Sequence, residues 1–142
     1  MNLAALITDN VTEALIKIIE FTQSRQKVLI LNVNNSQRKG FVPKDMPVDE
    51  FSKLMHEAID EHAKNQRLLL RDSDNIKFGA SGNFEAQAVL DEQALSILQN
   101  NRDEFLRLQI DKLLENSINQ RIALEILKQK QGEELISLLD LN

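Results

Sequence analysis

The sequence has no cysteine, tryptophan or tyrosine, and only two prolines and four glycines among its 142 residues. Without cysteine there is no disulfide framework, no thiol catalysis and no metal site with thiolate ligands. With six phenylalanines as its only large aromatic residues, the chain is poorly suited to recognise ligands by stacking or to bind single-stranded nucleic acid. Several classes of site are therefore excluded by composition alone.

Charge and hydropathy further limit the kinds of partner that the chain is expected to bind. The formal net charge is −5 and the main basic cluster is the dipeptide Arg38-Lys39, so the surface on average repels nucleic acids and anionic membranes. No apolar run approaches the roughly 20 residues that a membrane-spanning helix needs, so we expect no membrane insertion. The first 14 residues contain acidic side chains but no lysine or arginine, and we expect no cleaved secretory signal.

Apolar side chains recur at helical spacing in four stretches, which predicts a mainly α-helical chain. The first helix begins near Asn10, which we expect to cap it, with Glu13 reaching back from the third helical position. It ends in the run 32–36, which is rich in asparagine and therefore favours a turn. Candidate packing residues on this helix are Leu15, Ile18 and Leu29.

A connection marked by Gly40 and Pro43 leads to a second helix. Pro47 suits the first turn of that helix, where the missing N–H of proline costs nothing, and the helix runs to about His62. One face of it is apolar and is formed by Val48, Phe51, Leu54, Met55, Ala58 and Ile59.

The middle of the chain has only short apolar runs. Residues 68–70 and 76–78 flank a polar stretch, which indicates either a small hairpin or an ordered loop. Residues 79–83 are the most flexible-looking segment of the sequence because of their glycine and serine content. We expect Asn83 to cap a third helix at about 84–100.

The last helix, from about Phe105 to Leu139, is the longest predicted element. It would span roughly 50 Å, more than a compact domain of this size, whose radius of gyration is about 14–15 Å. Either it breaks at Gly132, at a cost of about 1 kcal/mol relative to alanine, or the molecule is elongated and packs against neighbours, which we favour. Its apolar residues form a stripe whose position shifts gradually around the helix. The stripe comprises Leu106, Ile110, Leu113, Leu114, Ile118, Ile122, Ile126 and Leu127.

Two constellations resemble catalytic or metal sites without completing one. His56 and His62 are six residues apart, about 240° around a helix, so they cannot share one metal ion on a straight helix. Asp72 and Asp74 resemble the first ligands of a calcium-binding loop, but Lys77 occupies the position where that loop requires glycine. The sequence also lacks a phosphate loop and a nucleophile motif around any serine. We predict no enzyme, no cofactor, no metal and no small-molecule substrate.

An asparagine-rich loop follows the first predicted helix. The stretch 24–35 contains Arg-Gln, Val-Leu and then Asn-Val-Asn-Asn, and Gly-Phe and Lys-Asp dipeptides follow at 40–41 and 44–45. This order resembles the bacterial flagellar basal-body rod proteins, most closely the proximal rod proteins. The positions in register with the family are Asn32, Val33, Asn35, Gly40, Phe41 and Asp45.

A second stretch, 112–127, is similar to the C-terminal helix of the same family, with Glu-Asn followed by an apolar repeat. Upstream, residues 100–103 stand near the family's Asn-Asn-Val-Asp segment. The matched segments, 24–55 and 100–139, occur in the order that the family has. The chain departs from the family pattern at Asn34, at Arg38-Lys39 (Thr-Pro in the family), and at Phe41 and Gln120 (both tyrosine in the family).

The resemblance implies a structural subunit of the flagellar basal-body rod. Its terminal helices, residues 1–31 and 101–142, would pair as an antiparallel coiled coil, with an extended loop at 32–46 and a variable middle region at 47–100. Such a subunit is exported through the type III apparatus without a cleaved signal and assembles itself in the periplasmic rod. The implied partners are further copies, other rod proteins, the base adaptor and the export gate. The loop positions in register would contact neighbouring subunits.

Phe51 and Met55 allow two interpretations. Their spacing resembles the Phe-x-x-x-apolar segment by which the export gate recognises early substrates of the flagellar apparatus. Equally, two apolar residues four apart on a helix are ordinary core neighbours.

A different function class also suits a soluble helical chain. A cytosolic helical adaptor or secretion chaperone would bind a partner helix in an apolar groove. That hypothesis predicts a compact chain with protected ends, whereas a rod subunit has protease-sensitive ends until it assembles.

Overall fold

The computed structural model describes residues 9–79 and 84–140. The fold of these residues is mainly α, as the apolar spacing predicts. The helices are α1 Asn10–Asn34, α2 Val48–Asn65, α3 Glu92–Asn100 and α4 Arg102–Asp140. The strands, each of two residues, are β1 Lys44–Asp45, β2 Ile76–Lys77, β3 Glu85–Ala86 and β4 Val89–Leu90.

The cap of α1 is Asp9 and not Asn10. The Asp9 carboxylate accepts the backbone N–H of Thr12 at 2.9 Å, and its charge also suits the positive end of the helix dipole. Asn10 lies inside the first turn, where its side-chain amide donates to the Gln66 carbonyl at 3.3 Å and lies 3.2 Å from a ring nitrogen of His62. The predicted cap was therefore wrong by one residue, because Asn10 connects α1 to the end of α2.

The main apolar core lies between α1 and α2. Phe51 of α2 stacks on Phe21 of α1 with ring centroids 4.1 Å apart, and the rings of Phe78 and Phe84 are each 6.2 Å from Phe51. Four of the six phenylalanines thus pack together, which accounts for most of the scarce aromatic content. The buried members of this core are Ala14, Phe21, Met46, Phe51, Leu54, Met55, Ile76 and Phe78.

The middle region contains two short antiparallel strand pairs. β2 pairs with β3, with Ile76 opposite Ala86, and β1 pairs with β4, with Lys44 opposite Leu90. A hairpin between 68–70 and 76–78 was one of our alternatives, and it is wrong. Residues 68–70 form no strand, although Leu68 and Leu70 pack against the core.

The third helix is shorter than predicted. It begins at Glu92, and its cap is Asp91, whose carboxylate accepts the N–H of Ala94 at 3.0 Å. Residues 85–86 and 89–90 are strands because distant segments supply partners for their backbone groups, and tertiary pairing overrides local helix preference. Asn83, the cap that we predicted, lies outside the described residues.

The last helix, α4, is continuous for 39 residues and passes through Gly132 without a break. At about 1.5 Å per residue it is roughly 58 Å long. Of the two alternatives for this helix, the uninterrupted one is therefore correct. Its longest contact is with α1, and α3 packs against its first part. Within the described part of the chain, no helix combines the length and apolarity needed to cross a membrane.

Candidate functional site

The packing of α1 against α4 brings polar side chains of the two helices together. Near the end of α1, the Asn32 side chain donates to Gln109 in the second turn of α4 at 2.9 Å. In the middle of both helices, the Asn116 amide donates to the Thr22 carbonyl at 2.8 Å. Ion pairs join Arg25 to Glu115 at 3.5 Å and Lys130 to Asp9 at 2.7 Å.

Residues that recur at intervals of three and four line the contact on both helices. On α4 these side chains are mostly polar or small, and Gln109, Asn116 and Ala123 are at most 4% exposed. On α1 the positions at these intervals are Leu15, Ile18, Thr22, Arg25, Leu29 and Asn32, all of them buried or half-buried. Of the predicted packing residues of α1, Leu15 and Leu29 are buried and Ile18 is half-buried.

The predicted packing residues of α4 have a different position. Leu113 is half-buried, but Ile118, Ile122 and Ile126 are 50%, 53% and 43% exposed. These isoleucines belong to a row of exposed apolar residues four apart, which we call the α4 ridge. It consists of Ile110, Leu114, Ile118, Ile122 and Ile126. Packing of this ridge against a neighbouring molecule stays a prediction.

A groove of about 360 Å³ lies beside the ridge, between α1, α2 and α4. Leu15 and Ile18 form one wall, and Phe51 and Met55 belong to another. Three further apolar lining residues, Ile59, Ile122 and Ile126, are each about half exposed and form its rim. The ridge and the groove together make a continuous apolar surface, and such surfaces usually mark interaction sites.

Asp45 anchors the loop after α1 to both terminal helices. Its carboxylate accepts a hydrogen bond from Arg25 of α1 at 3.0 Å and lies 3.0 Å from the Lys112 ammonium of α4. Lys112 also contacts the Asp91 carboxylate at 2.6 Å. The network therefore joins α1, β1, the cap of α3 and α4 at one place.

The network shifts the pKa of its members. Burial by itself raises the pKa of Asp45, but the hydrogen bonds and charges of Arg25 and Lys112 outweigh it and hold that pKa below its ordinary value. For Lys112, burial lowers the pKa, and the bonds and charges of Asp91 and Asp45 more than reverse this, so the pKa is raised. Both groups are therefore charged at neutral pH.

Asn32 fastens the two ends of the predicted loop. It is 2% exposed, its amide donates to the Lys44 carbonyl at 2.7 Å, and its carbonyl oxygen accepts the Lys44 N–H at 3.2 Å. Residues 32–34 form the last turn of α1, so the predicted boundary of the loop was wrong by three residues. The side chains of Asn32 and Asp45 thus serve contacts within the chain.

The remaining loop positions are more open. Val33 and Asn35 are half-buried, and the Asn35 amide donates to the Leu31 carbonyl. Gly40 has a φ of +77°, a left-handed conformation that favours glycine. Phe41 is half-buried at the tip of the loop. The stretch 37–42 is what this loop leaves accessible to a neighbouring molecule.

Phe51 and Met55 are core residues in the folded chain, at 6% and 4% exposure. Of our two interpretations, core packing is confirmed. Recognition by an export gate stays a prediction, and it would require the segment to be unfolded when it is recognised.

Sequence reasoning missed Gln109, Lys112 and Asp91, which complete the polar contacts of the helix pair. The signal for two of them was available, because the series 105, 109, 112 and 116 alternates intervals of four and three, the spacing of a helix seam. An apolar repeat does not include this series, because Gln109, Lys112 and Asn116 are polar. The role of Asp91 depends on its distance from Lys112, which no sequence pattern encodes.

Among residues 9–79 and 84–140, no group of three side chains could hold a metal ion. The His56 ring lies 2.8 Å from the Ser52 carbonyl, one turn back on the same helix, and the His62 ring lies beside Asn10.

We also compared the chain with protein-family models, with curated proteins and with solved structures, and none of the three comparisons found a match. Its function is therefore inferred from its motifs and its surfaces.

Proposed function

We propose that this chain is a structural subunit of the bacterial flagellar basal-body rod and assembles through its terminal helices. The observation that carries the proposal is the α4 ridge, whose five large apolar side chains are 43% to 60% exposed. Apolar rows of this length are unfavourable in water and usually mark a surface that a partner covers. The asparagine loop and the C-terminal helix motif, both similar to rod proteins, support a rod as the kind of assembly.

We infer that α1 and α4 form an antiparallel coiled coil. Two observations support this pairing. First, Asn32 near the end of α1 contacts Gln109 near the start of α4, whereas Asp9 at the start of α1 contacts Lys130 far along α4. Second, the contact residues alternate intervals of three and four, which is the spacing of a coiled-coil seam.

The ridge sets the geometry that a neighbouring helix would adopt. Rows of side chains four apart interdigitate with similar rows at a crossing angle of about −50°, and with rows three apart at about +20°. A subunit whose inner face is occupied by α1 would use the ridge for such contacts with adjacent subunits. The contact between α1 and α4 would stabilise the single subunit, and the α4 ridge would stabilise the assembly.

Genetics in the organism that encodes the chain tests the proposal. Deleting the gene is expected to abolish swimming and leave no complete rod, and the wild-type gene should restore both. A variant with Leu114→Glu and Ile118→Glu should fail to restore them, because it places charge in the covered surface. The control, Gln87→Glu with Gln93→Glu, adds the same charge at exposed polar positions outside α4 and should restore swimming. Normal swimming of the deletion strain, or full rescue by the ridge variant, would refute the proposal.

The groove between α1, α2 and α4 favours a second candidate, a cytosolic helical adaptor or secretion chaperone. Its volume of about 360 Å³ and its apolar walls suit a partner helix. Limited proteolysis separates the two candidates. A rod subunit is expected to be cleaved near its ends as a monomer and protected in the assembly, whereas an adaptor should be protected before any partner binds.

A further inference from the structure

At the end of the molecule where α1 finishes and α4 begins, the loop after α1 is basic, whereas the first turn of α4 carries Asp103 and Glu104 beside Arg102. Residues 34–44 contain three cationic side chains and no carboxylate. Arg38 and Lys39 are exposed, and neither forms an ion pair with any of the described residues. This dipeptide stands where the rod-protein pattern has Thr-Pro, so the basic end is a property of this chain that the resemblance does not imply.

A notch of about 370 Å³ opens at this basic end. Arg38 and Arg102 lie on its walls, and Phe41, Leu95 and Leu98 supply apolar surface. Both arginines are exposed, so their charge is available at the surface. A segment that fits this notch would combine apolar side chains with a neighbouring carboxylate.

The far end of α4 has that composition. Leu135, Ile136 and Leu139 are 52%, 60% and 70% exposed, and they lie within an arc of about 100° on one side of the helix. Glu133, two positions before Leu135, is also exposed. The sequence 125–140 carries four carboxylates against two lysines, so this end is acidic as a whole.

We propose that the last turns of α4 from one copy dock in the notch of the next copy, head to tail. The apolar side chains at 135, 136 and 139 fill the notch, and Glu133 faces its arginines. Opposite charges at the two ends orient the approach and oppose end-to-end contacts between like ends. Because the two surfaces differ, the contact leaves one free surface on each copy and repeats from copy to copy, as an open line of subunits or as a ring. The inference rests on the proposed function, since it describes how copies of an assembling chain follow one another.

Association of the purified full chain tests the charge requirement. Sedimentation velocity is measured at about 0.01 M and about 1 M salt, between which the screening length falls from about 30 Å to about 3 Å. Arg38→Glu with Lys39→Glu should raise the dissociation constant about tenfold or more at low salt. The control, Lys27→Glu with Lys53→Glu, makes the same change in net charge at exposed positions elsewhere and should leave association near the wild-type level. Mixing the notch variant with a Glu133→Lys chain should restore part of the loss.

The absence of cysteine allows a direct test of which ends meet. One chain carries Lys39→Cys, the other carries Leu139→Cys, and a short bismaleimide links thiols that lie close together. We expect a mixed dimer to be the main product, and Lys53→Cys in place of Lys39→Cys should give little. Circular dichroism at neutral pH confirms that each variant is folded.

The outcomes separate this inference from the proposed function. Association that is indifferent to the notch variant, or cross-links that do not favour the 39–139 pair, overturns head-to-tail docking while leaving assembly through the ridge intact. A chain that stays monomeric under all conditions also overturns the inference, and would assign the basic end to a different acidic partner. Loss of rod formation in the ridge variant, tested separately, decides the proposed function.

Discussion

The Asp45 carboxylate has Arg25 on one side and Lys112 on the other, each at 3.0 Å. All three side chains are at most 19% exposed, so little water is available to replace a missing partner. Removing one member of a buried charged group is costly because the charges left behind are no longer compensated. Asp45 is therefore the position at which removing a single charge should most directly destabilise the fold.

We expect Asp45→Asn to lower the free energy of unfolding by about 3 kcal/mol at neutral pH. The reason is that Arg25 and Lys112 keep their charges and lose the carboxylate between them. Urea unfolding followed by circular dichroism measures the effect. Asp60→Asn, at an exposed position in the interior of α2, is the matched control and should change stability by less than about 0.5 kcal/mol.

The stabilisation by Asp45 should also depend on pH. Because its pKa is held below the ordinary value of 3.8, the stabilisation is complete above that value and is lost as the pH falls through the lowered pKa. The difference in stability between wild type and Asp45→Asn should therefore shrink on acidification below about pH 3.8. Lys112 has a raised pKa, so its contribution is complete below 10.5 and is lost as the pH rises through the raised value. A difference that stays constant down to about pH 2 would contradict this account.

At the scale of secondary-structure elements, the contact between α1 and α4, here called the seam, is stabilised by polar side chains that hydrogen-bond to one another. Gln109 accepts from Asn32 through Oε1, while its Nε2 is buried without a partner among the described atoms. Gln109 therefore has one hydrogen bond within the seam, and that bond comes from Asn32.

A double-mutant cycle at this pair should reveal coupling. Asn32→Ala is expected to cost about 2 kcal/mol, since it also leaves the Lys44 backbone groups unpaired. Asn32→Ala together with Gln109→Ala should cost about 1 kcal/mol less than the sum of the single changes. Urea unfolding of the four proteins gives the coupling energy, and additivity within about 0.3 kcal/mol would show that the seam does not depend on this bond.

Two glycines in open space should respond in opposite ways to alanine. A Cβ added at Gly132 or at Gly40 meets no atom within 4 Å. Gly132 lies within α4, so Gly132→Ala should stabilise the chain by about 0.5–1 kcal/mol. Gly40 has a φ of +77°, so Gly40→Ala should destabilise it by about 1 kcal/mol. Thermal unfolding of both variants checks the pair, and a loss of stability in Gly132→Ala would mean that the helix is not continuous there.

For the whole molecule, α4 contributes to the interior with one face and to the surface with another. Its seam residues are buried against α1, whereas the α4 ridge is about half exposed over five positions. Folding of a single copy therefore leaves much of the apolar surface of this helix in water. Association would be the means by which that surface is covered.

Substitutions on the ridge should weaken association without weakening the fold of a single copy. Leu114→Gln with Ile118→Gln is expected to change the free energy of unfolding by less than about 0.5 kcal/mol at low protein concentration. The control Leu54→Gln, at a core position that is 8% exposed, should lose several kcal/mol, roughly 3 or more. Sedimentation at high concentration then measures association of the ridge variant. Large destabilisation by the ridge changes would mean that these residues pack within the chain.

Helices that persist for several turns could be predicted from the sequence, and short strands could not. α1, α2 and α4 were located within a few residues because their apolar spacing repeats many times. The strands at 85–86 and 89–90 were predicted as helix, since two residues are too few to display a period. Their partners lie at 76–77 and 44–45, and only tertiary pairing brings those segments together.

The amino-acid sequence by itself determined that the chain is mainly helical, that α4 is long, and that an apolar row follows it. It did not determine which face of α4 would be buried. The structure places Gln109 and Asn116 against α1 and leaves Ile118 and Ile122 in water, because the amides find partners on α1. The spacing of apolar residues along a helix can be read from the sequence alone. Which face of the helix is buried depends on the residues that pack against it from elsewhere in the fold, so only the tertiary structure decides it.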